Sequence, residues 1–182
     1  DYNYYTSNGS YYVGDTDWHS DHLTNWPYHS LKIGFYLDPT RRDAGGLRVI
    51  PGSCNHGDYY TSALDSVHEF PKGTRSDNIW GVHGSDLPAQ DLESEPGDML
   101  LFNHKIKHSS WGGGDRRRML TYDFEQRVPD DLLPSLRDLL KGPIERGDAQ
   151  AYGKTLLRVA TPQYRTHLEQ RIAVWDEMVN EC

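Results

Sequence analysis

The chain has 182 residues, enough for one domain with a real core, and carries a formal net charge of −8. That acidic balance argues against a nucleic-acid partner, and no apolar run approaches the roughly 18–20 residues needed to cross a bilayer, so no membrane partner is expected either. Two cysteines, Cys54 and Cys182, are too few for a disulfide framework, which makes a reducing, cytoplasmic setting the default expectation.

The opening residues, DYNYYTSNGSYYVGD, read as the middle of a fold, so the expectation is an N-terminally truncated domain whose targeting is not legible. Next comes WHSDH, residues 18–22. If GDTDWHSD runs into a strand, His19 and Asp21 lie two apart and face one side, with His22 on the other. LKIGFYL (31–37), GLRVI (46–50), DMLLFN (98–103) and RMLTYDFEQ (118–126) read as strands. DPTRRDAGG, PGS, EPGD and WGGGD read as the turns between them. The polar segment 71–95 is irregular and reads either as a lid over an open β core or as a long surface loop. Short strands at this rhythm predict a sandwich or jelly roll over residues 1–128, not a parallel βαβ sheet.

Residues 129–182 change texture to a helical tail. PDDLLPSLRDLLKG has apolar residues near helical spacing, opened by Pro129 and two aspartates and closed by Gly142. PIERGDAQAYGKTLLRV is a weaker, glycine-interrupted helix. TPQYRTHLEQRIAVWDEMV is expected to run as a helix from Thr161 as N-cap and Pro162 as first helical residue. The domain expectation is therefore one domain, 1–182, made of a β core and a helical tail.

Two ligand types at i and i+2 on a strand can grip one ion, and a distant strand can complete a three-ligand face with open positions. Nine histidines are available, and His104 and His108 are offered by the tract GDMLLFNHKIKHSSWGGGDRRRML. Two other readings compete. HSDH is similar to half of the H-x-H-x-D-H site of zinc-dependent hydrolases, in which Asp21 and His22 would hold a second metal. Asp17, however, stands where the first histidine belongs, and LTNWPYH is a poor helix opening. The third reading is a non-catalytic jelly-roll binding protein, which the presence of all candidate ligands and an arginine disfavours.

These pieces, taken in order, resemble the phytanoyl-CoA dioxygenase (PhyH)-like family of Fe(II)- and 2-oxoglutarate-dependent oxygenases. GDTDWHSD carries the H-x-D. FYLDPTRRDAGGLRVIPGS is similar to the family's strand, turn and G-x-L-x-V-x-P-G-S segment. EPGDMLLFNHKIKHSS is similar to its G-D-x-x-x-F to H-x-S segment, and an arginine opens the next strand. The resemblance spans roughly residues 11–126. It implies a double-stranded β-helix (jelly roll, cupin-like), an iron held by His19, Asp21 and His108, and 2-oxoglutarate and O2 as co-substrates. It also implies hydroxylation of an aliphatic C–H bond in a small molecule, with release of succinate and CO2. By the same resemblance Arg117 holds the far carboxylate of 2-oxoglutarate, with Arg118 the runner-up; strand alternation forbids both from pointing inward. Ser110 and Thr121 would add hydroxyls to that co-substrate, and His104 would be a supporting residue. Asp21 also argues against the related halogenases, which carry a small residue there. The chain departs from the pattern at PGSC, where Cys54 replaces a common histidine, and in lacking the usual N-terminal helices. Trp26, Tyr28, Trp80, His83 and Trp111 fall on segments expected to flank the pocket mouth. The substrate and the oligomeric state are not legible.

Overall fold

The structure, a computed structural model, describes residues 2–12 (backbone alone for 3–12), 15–22, 27–55, 57, 59, 62–63, 83–113 and 117–181. Among the described residues, eight strands form two four-stranded sheets. The first has the order β1 (Tyr2–Tyr12), β8 (Arg117–Gln126), β3 (Ser30–Tyr36), β6 (Met99–Asn103). The second has the order β2 (Thr16–His19), β7 (His108–Ser110), β4 (Leu47–Val49), β5 (Gln90–Leu92). Strands close in sequence are split between sheets, and the registered pairs β2–β7, β3–β6, β4–β5 and β4–β7 are antiparallel. The fold is mainly β, a jelly roll with a helical C-terminal portion. All four predicted strands form, and 90–92, expected to be irregular, is a short strand. It is held to β4 by its ladder and by Arg48 Nε, 2.7 Å from Asp91 Oδ1. Residues 71–82 lie outside the described residues.

The chain divides into two compact units. One contains residues 7–26 and 31–122, the other residues 1–6, 27–30 and 123–182. In the first unit Tyr36, Leu47 and Val49 form the centre of the core, with Leu92, Leu100, Phe102, Ile106 and Met119 packed against them. Period-two alternation explains the set: Leu100 and Phe102 point inward from β6, while Met99 and Leu101 on its other face are exposed.

In the second unit, helix α1 (Leu133–Glu145) buries Leu136 and Leu140 completely. It runs through Gly142 and Pro143, contrary to the stop expected at Gly142. The terminating residue is Gly147, whose φ of +83° is the left-handed conformation that glycine adopts without a Cβ penalty, and whose N–H donates to the Ile144 carbonyl. The weak second helix shrinks to α2 (Lys154–Val159). The third splits into α3 (Pro162–Arg165) and α4 (Glu169–Asn180), because 3-10-type bonds from His167 to Tyr164 and from Leu168 to Arg165 tighten the chain between them. That tightening accompanies complete burial of Leu168 against Tyr152. Thr161 caps as expected, accepting from the Tyr164 N–H.

Candidate metal centre

β2 and β7 pair with Thr16 opposite Ser110 and His19 opposite His108. Three steps along β2 match two along β7, so β2 carries a bulge. Simple alternation would send residues 16 and 19 to opposite faces. The bulge brings both to the same cavity and turns Trp18 away, where its indole N–H donates to the Gly84 carbonyl at 2.8 Å. Gly84 is required there, since a Cβ would lie 2.7 Å from the Trp111 ring.

The strand ends at His19, so Asp21 is not placed by strand alternation. The backbone N–H groups of Asp21 and His22 both donate to the His104 carbonyl, at 2.9 and 3.1 Å, and the Ser20 hydroxyl donates to the Lys105 carbonyl at 2.9 Å. The β6–β7 turn thus fixes the H-x-D loop. His104 does its work through its backbone, and its buried ring lies 4.9 Å from that of His22.

His19, Asp21 and His108 come together with one ligand atom each, all within 4.8 Å of one another. His19 Nε2 lies 3.8 Å from Asp21 Oδ1, and His108 Nε2 lies 3.8 Å from Asp21 Oδ2. The Nδ1 of His19 meets the Asp17 carbonyl at 2.7 Å, and that of His108 meets the Ile106 carbonyl at 3.0 Å. A carbonyl can only accept, so both Nδ1 atoms carry a proton, and in each ring Nε2 is the nitrogen turned toward the carboxylate. This is the arrangement a metal ligand needs, held by its outer hydrogen bond. Three adjacent ligands at roughly 2.1 Å from one ion would stand about 3 Å apart, so seating a metal would shorten the two 3.8 Å contacts by under an ångström and the widest separation, within 4.8 Å, by up to about 2 Å. The donor set, two neutral imidazoles and one carboxylate, fits a non-haem iron(II) with open positions.

Burial pushes the His108 imidazole down to about 3, aided by His19, so it is neutral at physiological pH. Burial works to raise the Asp21 carboxyl, but His108 and the hydrogen-bonded Lys32 ammonium outweigh it and hold the group at about 2. Because His108 is neutral, the standing positive partner is Lys32, with Nζ 2.7 Å from Asp21 Oδ2. The sequence reading missed Lys32. The available signal was a lysine at an inward position of β3, two before Gly34 and four before the buried Tyr36.

A cavity of about 100 Å³ adjoins the three candidate ligands. Lys32, Thr16, Ser110, Arg117 and Thr121 supply its polar lining, and Tyr36, Leu47, Phe102 and Met119 its apolar lining. Arg117 is buried. It donates to the Gly45 carbonyl at 3.0 Å, to Thr16 Oγ1 at 3.2 Å, and to the Ser110 hydroxyl. Gly45 sits at a φ of +77°, and a Cβ there would lie 3.0 Å from Arg117 Cδ, which accounts for the glycine in DAGG. Arg118 points to the opposite face, where Nε and Nη2 take the two oxygens of Asp38 at 3.0 and 2.8 Å. Arg117, Ser110 and Thr121 therefore share the cavity with the candidate ligands, and Arg118 does not.

Other expectations fare differently. His22 lies against His104, and the His–Asp–His group found among the described residues excludes it, which leaves the zinc-hydrolase reading without its second site. Tyr28 and Trp111 are buried, and the Trp111 indole N–H is taken by Ser109. His83 caps the 3-10 turn Gly84–Asp86. None of these three lines the cavity. Trp26 and Trp80 lie outside the described residues. No described helix is long and apolar enough to cross a membrane.

No curated protein sequence matches this chain. Among solved structures, that of EvdMO1 is similar at 16% identity and a TM-score of 0.50, over 70% of this chain and 28% of that one. AviO1 from Streptomyces viridochromogenes Tue57 is similar at 17% identity and a TM-score of 0.45, over 68% of this chain and 48% of that one. EctD from S. alaskensis, with 2-oxoglutarate and 5-hydroxyectoine, is similar at 21% identity and a TM-score of 0.44, over 70% of this chain and 45% of that one. The chain thus spans about half the length of these proteins or less, and the first likeness bears on the fold alone. The family model for phytanoyl-CoA dioxygenase (PhyH) matches residues 5–119, well over half the chain. On that match, the chain belongs to the phytanoyl-CoA dioxygenase family of Fe(II)- and 2-oxoglutarate-dependent oxygenases.

Proposed function

We propose that this chain is an Fe(II)- and 2-oxoglutarate-dependent oxygenase that hydroxylates an aliphatic C–H bond of a small molecule, releasing succinate and CO2. The observation that carries the reading is the convergence of His19 Nε2, Asp21 and His108 Nε2 on a cavity that also holds a buried arginine. Iron(II) in that site would supply the activation of O2, coupled to oxidative decarboxylation of 2-oxoglutarate. The chain's own part is to bind, orient and exclude water. His19, Asp21 and His108 would hold the metal at the edge of the cavity. Arg117 binds the far carboxylate of 2-oxoglutarate through paired N–H donors, a geometry that a planar guanidinium suits better than a lysine. Ser110 Oγ, a partner of Arg117, and Thr121, which lines the same cavity, add hydroxyls beside that carboxylate. Leu47, Phe102 and Met119 form the apolar lining that keeps bulk water from the reacting centre.

The test is Fe(II)-dependent consumption of 2-oxoglutarate, screened against small-molecule substrates, with succinate and a product 16 mass units heavier as readouts. Stoichiometric succinate and hydroxylated product that disappear in His108→Ala support the reading. Turnover surviving in His108→Ala, or product without succinate, contradicts it.

A further inference from the structure

We propose that Lys32 is a positioning residue that engages Asp21 when no metal is bound and thereby makes metal binding depend on the dicarboxylate co-substrate. The inference rests on the reading of His19, Asp21 and His108 as metal ligands. Lys32 faces inward from β3, opposite Phe102 on β6, and both residues line the cavity. Its ammonium lies 2.7 Å from Asp21 Oδ2, the same oxygen that stands 3.8 Å from His108 Nε2. A cation entering between the three ligands must therefore share Asp21 with an ammonium already there. The pair is a fifth exposed, 19% for Lys32 and 21% for Asp21, so it is open to exchange and is not sealed in the core.

The charges give the direction. Lys32 offsets Asp21, and Arg117 adds a buried positive charge to the same cavity. A divalent ion alone raises the sum over these groups to +3, and 2-oxoglutarate, with two carboxylates, lowers it to +1. Metal and co-substrate are thus coupled through Lys32, and by linkage the coupling acts equally on both affinities.

Mn(II) affinity, measured by electron paramagnetic resonance of the free ion with and without 2-oxoglutarate, tests this without turnover. Lys32→Met should bind Mn(II) alone about tenfold more tightly than wild type, a shift of the size expected for removing one nearby like charge in a partly solvated site. The factor by which 2-oxoglutarate tightens Mn(II) binding should fall by a similar amount, while Lys32→Arg, which keeps the charge, stays near wild type. Lys32→Gln, closer in shape and still polar, carries the same expectation and serves if the methionine variant misfolds by circular dichroism. Unchanged or weaker Mn(II) binding in the neutral variants, with binding abolished in Asp21→Ala, overturns the role of Lys32 and leaves the ligand set standing. Wild-type Mn(II) affinity in both Asp21→Ala and His108→Ala overturns the ligand set itself, and this inference with it.

Discussion

Each of the two units contains a carboxylate facing a base, and the two pairs are built for different ends. In the helical unit Arg171 Nη1 lies 3.5 Å from Glu125 Oε2, with side-chain exposures of 6% and 0%, and the guanidinium carbon sits 5.8 Å over the Tyr152 ring. In the β unit Lys32 and Asp21 are closer, at 2.7 Å, yet both remain reachable by water and border a cavity. A sealed pair can be broken only by leaving a charge stranded in a medium that solvates it badly; a bordering pair can trade partners. Burial, more than distance, separates the structural ion pair from the one available for chemistry.

The largest effect that distinguishes them is on stability. Arg171→Met removes the arginine facing the fully buried Glu125 and should cost about 3–5 kcal/mol in urea unfolding, as for other broken buried pairs. Lys32→Met should cost under about 1 kcal/mol, as expected for a solvent-reachable pair. Equal losses would erase the distinction. A second contrast separates the neighbouring arginines. Arg117→Ala removes the only one of the two that lines the cavity and should weaken 2-oxoglutarate binding by about 2–3 kcal/mol, roughly thirty- to a hundred-and-fiftyfold, with little change in metal affinity. Arg118→Ala, which loses Asp38 on the opposite face, should leave 2-oxoglutarate affinity unchanged in the same calorimetric titration. The reverse pattern would move the co-substrate to the other side of β8.

The smallest effect is on acid stability of the metal-free chain. His108 is held near 3 in the fold against 6.5 in the unfolded chain. Between those values the unfolded state binds the extra proton, so stability falls as pH drops from about 6.5 toward 3. Asp21, held at about 2 against 3.8, contributes stability present above about pH 4 and lost as pH falls toward 2. Urea midpoints at pH 7 and pH 5 should differ more in wild type than in His108→Gln. Identical differences would mean that burial of the imidazole is not the cause.

Much of this was legible in the sequence because its signals are local. Alternating apolar runs gave β3, β4, β6 and β8, and the helical tail followed from spacing and caps. The ordered H-x-D, P-G-S and H-x-S segments pointed to the residues that the structure brings to one cavity. What escaped depends on contacts that no local pattern encodes. The β2 bulge exists only in register with β7, and Asp21 is held by a carbonyl 83 positions away. β5 is three residues long and owes its place to Arg48 and β4. Gly142 and Pro143 look like a stop, yet α1 continues to Glu145 and turns only where Gly147 takes a positive φ. Lys32 was hidden because a lone lysine in a strand reads as a solvated side chain until its face is known.

His19, Asp21 and His108 are proposed to form one metal site beside a 2-oxoglutarate pocket. Anaerobic addition of Fe(II) and 2-oxoglutarate, followed by visible absorption, tests it most directly. The wild type should show a weak charge-transfer band that saturates at one iron per chain and is absent from His108→Ala. No band in the wild type, or an undiminished band in His108→Ala, would contradict it.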